Sequence, residues 1–228
     1  MTDNSPQSHG PVPYLELSQS QGGLVTVEVR QSRRHHQDAL VERSLQALRG
    51  ATERGLVTAA AVLRGSRGKD VAVLTRPATP EPGAGPAVIP DNTLHTVETV
   101  DHITGRGFSV IERDSELFHF VNVFKVAPGK RNRMIEYFGH TIPYVRQQPG
   151  YVATNLLVSL DGRQAINVGQ YESRADFLAI FRQPEVIGAF ARGFPKRIMR
   201  PIFGWIPEPP RLRLYDLVDV MAAQKQPS

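Results

Sequence analysis

The sequence predicts an α+β chain of two tandem ferredoxin-like units that together form a dimeric-type α+β barrel within one chain. One observation is a repeat: "ATERGLVTAAAVLRGSRGKDVAVLTRP" from Ala51 and "RQQPGYVATNLLVSLDGRQAINVGQYES" over 146–173 both read as helix end, sharp turn, strand, tight hairpin and strand. A second is spacing. Leu24 to Gly55 and His119 to Gly150 are both 31 residues, and Gly55 to Lys69 and Gly150 to Arg163 are 14 and 13. The third is the order β-α-β-β-α-β in the second copy, the ferredoxin-like pattern. A length of 228 residues suits two units of about 100 residues each. The expected organisation is a disordered tail over 1–20, a degenerate structural unit over 21–112, and a second unit over 113–222 that holds the active site.

In the first unit, "GGLVTVEVR" alternates with β-branched residues and predicts a strand. "HHQDALVERSLQALRGATERG" puts Ala39, Leu40, Leu45 and Leu48 near helical spacing and ends on Gly55, a C-cap glycine. "LVTAAAVLR" and "DVAVLTR" form a hairpin about "GSRGK". "PATPEPGAGPAVIP" is too rich in proline and glycine for a helix. "TLHTVETVDHI" is then the fourth strand and "TGRGFSVIERDSE" the connector.

In the second unit "LFHFVNVFKV" is a strand, followed by a helix that opens at Pro128-Gly129 and breaks near Pro149-Gly150. "YVATNLLVSL" and "RQAINVGQYES" pair about Asp161-Gly162. "RADFLAIFRQPEVIGAFARGF" is a helix interrupted near Pro184, and "LRLYDLVDV" is the last strand. Each sheet has one face bare of its own helices, an apolar surface that must be buried. Two such sheets face to face bury it, with a pocket expected between them.

Composition excludes several functions. The chain has no cysteine, so disulfides, Cys-zinc sites and thiol nucleophiles are ruled out. The start "MTDNSPQSHGPVPY" has neither basic nor apolar region of a signal peptide, and no apolar run approaches membrane-helix length; the expectation is a cytoplasmic protein with no membrane contact. The net charge of +5 resides mainly in scattered arginines without interleaved aromatics, so no nucleic-acid partner is expected. His35-His36 diverge on a helix and have no ligand partners at suitable spacing, so no metal is expected. No G-x-G-x-x-G follows a strand, which argues against a Rossmann site.

Candidate chemistry lies in the second unit. Alternation puts Phe120, Asn122 and Phe124 on one face of their strand and Asn167, Gly169 and Tyr171 on one face of another. Facing the barrel interior, Asn122, Asn167 and Tyr171 would converge on aromatic walls with a few placed polar groups, suited to a flat, oxygenated ligand. Asn155, on the intervening strand, is a further substrate contact. His119 alternates away, toward the helices or an edge. His140 and Tyr144, four apart, share a helical face, and a histidine near its ordinary pKa suits a general base. Arg200, Phe203 and Trp205 lie in a proline-broken insertion of the kind that closes over ligands. The first unit offers Thr26 and Glu28 near the Asn122 position, so it reads as the structural half.

"FVNVFKVAPGK", "RQQPGYVATNLL", "INVGQYESRADFLAIF" and "QPEVIGAF" resemble the antibiotic biosynthesis monooxygenase family over about 117–220. The tandem length is similar to the angucycline ring-opening oxygenases of jadomycin-, gilvocarcin- and kinamycin-type pathways. The resemblance implies an oxidoreductase acting with O2 on an aromatic polyketide, a polycyclic phenol, hydroquinone or quinone, by hydroxylation or ring cleavage. It implies no tightly bound cofactor, with reduced flavin (FADH2 or FMNH2) as a co-substrate delivered by a flavin reductase, and a homodimer as one assembly. The haem-degrading branch has its pocket asparagine at the position of Asn122 and its tryptophan at that of Tyr171. Its haem-ligating histidine would fall near Ala191, so haem is not expected. The competing readings are a cofactor-free polyketide cyclase and a non-catalytic ligand-binding protein.

Overall fold

The computed structural model describes residues 12–17, 24–32, 35–79, 93–101, 109–182 and 211–222; the side chains of 93–101, 137, 140–144, 181, 211 and 212 lie outside the description. In chain order the elements are β1 (Tyr14–Glu16), β2 (Val25–Gln31), α1 (Gln37–Glu53), β3 (Val57–Gly65), β4 (Asp70–Pro77), β5 (Thr93–Asp101), β6 (Val110–Glu112), β7 (Phe118–Lys125), α2 (Arg131–Val145), β8 (Tyr151–Ser159), β9 (Gln164–Tyr171), α3 (Arg174–Ala179) with a following 3-10 turn (Ile180–Arg182), and β10 (Arg211–Ala222).

Turn chemistry sets the boundaries the sequence predicts. Gly55, Gly150 and Gly162 all adopt positive φ, the region open to glycine without steric cost. Gly55 lies just past α1, whose buried stripe is Leu40, Val41, Leu45 and Leu48; Ala39, expected on that stripe, is exposed.

Eight strands close a barrel in the order β10-β3-β4-β2-β5-β8-β9-β7. Each half has the ferredoxin-like order, β5-β2-β4-β3 and β10-β7-β9-β8. The last strand of each half then pairs with the second strand of the other, β10 with β3 and β5 with β8. Closure leaves no free edge within the eight-stranded barrel.

The barrel interior is a packed core rather than the open space expected. Val27, Val29, Ala61, Leu63, Leu74, Val121, Ile166 and Val168 form one buried cluster that spans both halves. Leu15 and Leu17, placed by sequence in a disordered tail, join this core. β1 pairs with β6, itself inside the stretch expected to be a plain connector, and Leu15, Leu17 and Ile111 are fully buried in the same cluster. The opposite sheet face carries the helices: α1 over β3, β4 and β10, and α2 and α3 over β7, β8 and β9.

Candidate functional site

The sequence-predicted polar residues come together, but on the helix side of the sheet. On β7 the inward residues are Val121 and Val123, within the barrel core. Phe118, Phe120 and Phe124 therefore point outward and pack under α2 and α3. Asn122 alternates with these phenylalanines and shares their face. It stands directly opposite Asn167 of β9, with Phe120 opposite Gly169 and Phe118 opposite Tyr171. The expectation that this set faces the barrel interior is thus reversed. Both faces of β7 are apolar enough to be buried, so alternation alone could not orient the strand.

Two aromatic-rich clusters flank the asparagine pair. On one side Phe120 stacks on Phe177 with centroids 4.9 Å apart, and Tyr171 meets Phe177 and Tyr151 edge-on at 5.3 and 5.6 Å. On the other, Phe124 meets Phe138 of α2 edge-on at 5.7 Å, beside Met134 and Leu156. Phe177 is aimed at the sheet by the start of α3, where Ser173 accepts a hydrogen bond from the Asp176 backbone N–H at 3.1 Å, a capping contact. Gly169 has no side chain because the Phe120 ring lies across it.

Asn122 and Asn167 keep partial exposure although Phe120, Phe124, Ala165 and Gly169 along their strands are buried. The Oδ1 atoms of both, and Oγ1 of nearby Thr154, are buried without a hydrogen-bond partner. A carboxamide can present either oxygen or N–H, so the pair can accept from a ligand hydroxyl or donate to an oxyanion. Burial, and then the neighbouring Tyr151, push the Tyr171 phenol well above its ordinary range, so Tyr171 is a neutral donor and not a phenolate.

Asn155 does not join this set. It alternates with Leu157, is fully buried on the interior face, and donates to the Val168 carbonyl at 3.4 Å. His119 also faces inward rather than toward the helices. Its Nε2 lies 3.3 Å from Gln170 Nε2, and Gln170 is held by Ser109 at 2.8 Å and the Val110 carbonyl at 3.0 Å. Burial lowers its pKa to about 4, against the opposing effect of a Leu117 backbone bond, so it is neutral near pH 7, on the opposite face of the sheet from the asparagines. His140 and Tyr144 occupy α2, with side chains outside the description, and Arg200, Phe203 and Trp205 lie outside the described residues. Sequence reasoning missed Tyr151, Thr154 and Phe177. The aromatic after Gly150 was the only signal for the first, and Thr154 becomes visible only through its pairing with Gly169. Among the described residues no group of three or more acidic or histidine side chains could hold a metal ion.

Residues 117–192 match the sequence profile of a family described as "Antibiotic biosynthesis monooxygenase". The chain is 35% identical over 79 residues to tetracenomycin-F1 monooxygenase of Streptomyces glaucescens, which spans 34% of this chain and 70% of that protein. Two solved structures share the fold. An anthrone oxidase-like protein superposes with a TM-score of 0.63 at 15% identity, over 92% of this chain and 98% of its own. A candidate monooxygenase from Fusobacterium nucleatum gives 0.56 at 10% identity, over 87% and 94%. Profile, sequence relative and barrel topology agree, and the chain belongs to the antibiotic biosynthesis monooxygenase family as a monooxygenase-type oxidoreductase.

Proposed function

We propose that this oxygenase tailors an aromatic polyketide, a polycyclic phenol, hydroquinone or quinone, at the helix-side face of its second unit. The carrying observation is the Asn122–Asn167 pair, with two buried, unpartnered carboxamide oxygens set between aromatic clusters. Aromatic walls suit a flat polycycle and the paired amides suit its oxygen substituents. The sequence relative named for tetracenomycin F1 favours the same substrate class.

In this reading a base on α2, His140, removes a phenolic or acidic C–H proton, and the electron-rich anion reduces O2. Asn122, Asn167 and the neutral Tyr171 hold the developing oxyanion and peroxide, with Tyr144 beside the base and Phe120 and Phe124 against the rings. One oxygen atom enters the substrate and the other leaves as water; the substrate supplies all the electrons, so a hydroquinone is hydroxylated and oxidised to the quinone in the same turnover (hydroquinone + O2 → hydroxyquinone + H2O). Angucycline-type C–C ring cleavage is the finer assignment; there reduced flavin from a flavin reductase supplies two electrons that the substrate does not. Arg200, Phe203 and Trp205 are proposed to close over the ligand.

Oxygen uptake with a polycyclic hydroxyquinone tests this, run with protein alone, with added reduced flavin, and with flavin plus reductase. Uptake with substrate alone identifies a cofactor-free oxygenase. Uptake coupled to product only with reduced flavin identifies the ring-opening type, and none across a substrate panel refutes the assignment in favour of a cyclase or a binding protein.

A further inference from the structure

The first unit carries a polar cluster at the place corresponding to the asparagine pair. Counted from each hairpin, Val71 opposite Arg30 corresponds to Ala165 opposite Phe124, and Val73 opposite Glu28 corresponds to Asn167 opposite Asn122. Thr75 opposite Thr26 corresponds to Gly169 opposite Phe120. These residues point to the helix side, because Val25, Val27 and Val29 between them belong to the barrel core.

Where the second unit has phenylalanines, this face is polar. Thr26, Glu28, Arg30 and Thr75 are each at most 4% exposed. Arg30 Nη2 is paired with Glu28 Oε2, yet Arg30 Nε and Nη1 and Thr26 Oγ1 are buried with no partner among the described residues. Leaving donors buried and unpaired is costly, so each such group requires an explanation. Glu28 neutralises the charge, and what remains unmet is a demand for hydrogen-bond acceptors. α1 does not meet it, since its packing is with β3, β4 and β10.

We infer that the first unit holds a second small-molecule site, in which Arg30 and Thr26 bind the carbonyl or phenolate oxygens of an aromatic quinone-type ligand. The existence of the site stands on the buried, unpartnered donors. The ligand class rests on the proposed function and on the correspondence with Asn122 and Asn167. The second unit offers a carboxamide pair against aromatic rings, the first a guanidinium and hydroxyl, so the two faces would hold one molecular class through different groups.

Calorimetric titration of the full chain with 1,8-dihydroxyanthraquinone, without oxygen, tests the inference apart from turnover. The expected result is about two equivalents bound per chain, one at the asparagine pair and one at the Arg30–Thr26 cluster. Arg30→Leu alone leaves Glu28 buried and unpaired and endangers folding, so the decisive variant is Glu28→Leu/Arg30→Met, which removes both charges together. It should bind about one equivalent while Asn122→Ala retains the event that the double variant loses. Thr26→Val should weaken that event alone by about tenfold, the effect of one buried hydrogen bond. A single equivalent for the native chain, or two for the folded double variant, overturns the second site. Absence of oxygen uptake with two equivalents bound would refute the oxygenase and leave the second site standing.

Discussion

Gly169→Ala adds one methyl group to the most crowded point of the helix-side face. An ideal Cβ there would lie 2.1 Å from Phe120 Cε1, 2.3 Å from Cζ and 2.9 Å from Cδ1. Normal carbon contacts lie at about 3.5–4.0 Å, so the ring must retreat by well over an ångström. It cannot do so freely: Phe177 stacks on it at 4.9 Å and Tyr171 lies 6.2 Å away. Overpacking of this kind costs about 1–3 kcal/mol. At about 2–4 °C per kcal/mol for a chain of this size, a central value of about 2 kcal/mol lowers Tm by about 4–8 °C. Thermal unfolding followed by circular dichroism measures this, and oxygen uptake should fall in parallel because Phe120 adjoins Asn122. Phe120→Leu shortens the clashing group, so the double variant should recover part of the loss, a coupling of about 0.5–3 kcal/mol. A Gly169→Ala protein melting with the native chain, or strictly additive single and double variants, would refute the packing argument.

Asn122→Ala and Asn167→Ala should each lower turnover by about tenfold or more, with Tm nearly unchanged because both positions are partly exposed; steady-state oxygen uptake measures it, and a native rate removes that residue from the mechanism. His119 has its folded pKa lowered from 6.5 to about 4, so the folded state binds fewer protons than the unfolded one between those values. Its stabilising contribution is therefore complete above about pH 6.5 and falls by roughly 3 kcal/mol as the pH drops to about 4. Urea unfolding between pH 7.5 and 4.5 should show this slope, and His119→Gln should flatten it. Leu15→Ala, which hollows the core filled by β1, should cost about 2–5 kcal/mol in the same assay.

Much of the fold was legible because local chemistry encodes it. The glycines at 55, 150 and 162 marked helix end and hairpin, and the doubled spacing anticipated two halves of one topology. That Asn122 shares a face with the β7 phenylalanines, and Asn167 with Gly169 and Tyr171, also followed from period-two alternation, a property of neighbouring sequence; the pairing of Asn122 with Asn167 is a long-range contact between β7 and β9. Burial of Leu15 and Leu17 was illegible, because an apolar pair in a polar tail acquires meaning only when β6, nearly a hundred residues later, supplies its partner.

Which side of the sheet carries the chemistry was beyond the sequence for a stricter reason. Alternation fixes which residues share a face, and a polar face opposite an apolar one then reveals which points inward. "FHFVNVFK" has no such contrast: Phe118, Phe120 and Phe124 are buried under helices, while His119, Val121 and Val123 are buried on the barrel side. The sequence by itself determined that Asn122 shares a face with the phenylalanines, and Asn167 with Gly169 and Tyr171. Barrel closure, which committed the valine face to the interior, decided that the asparagines look toward α2 and α3.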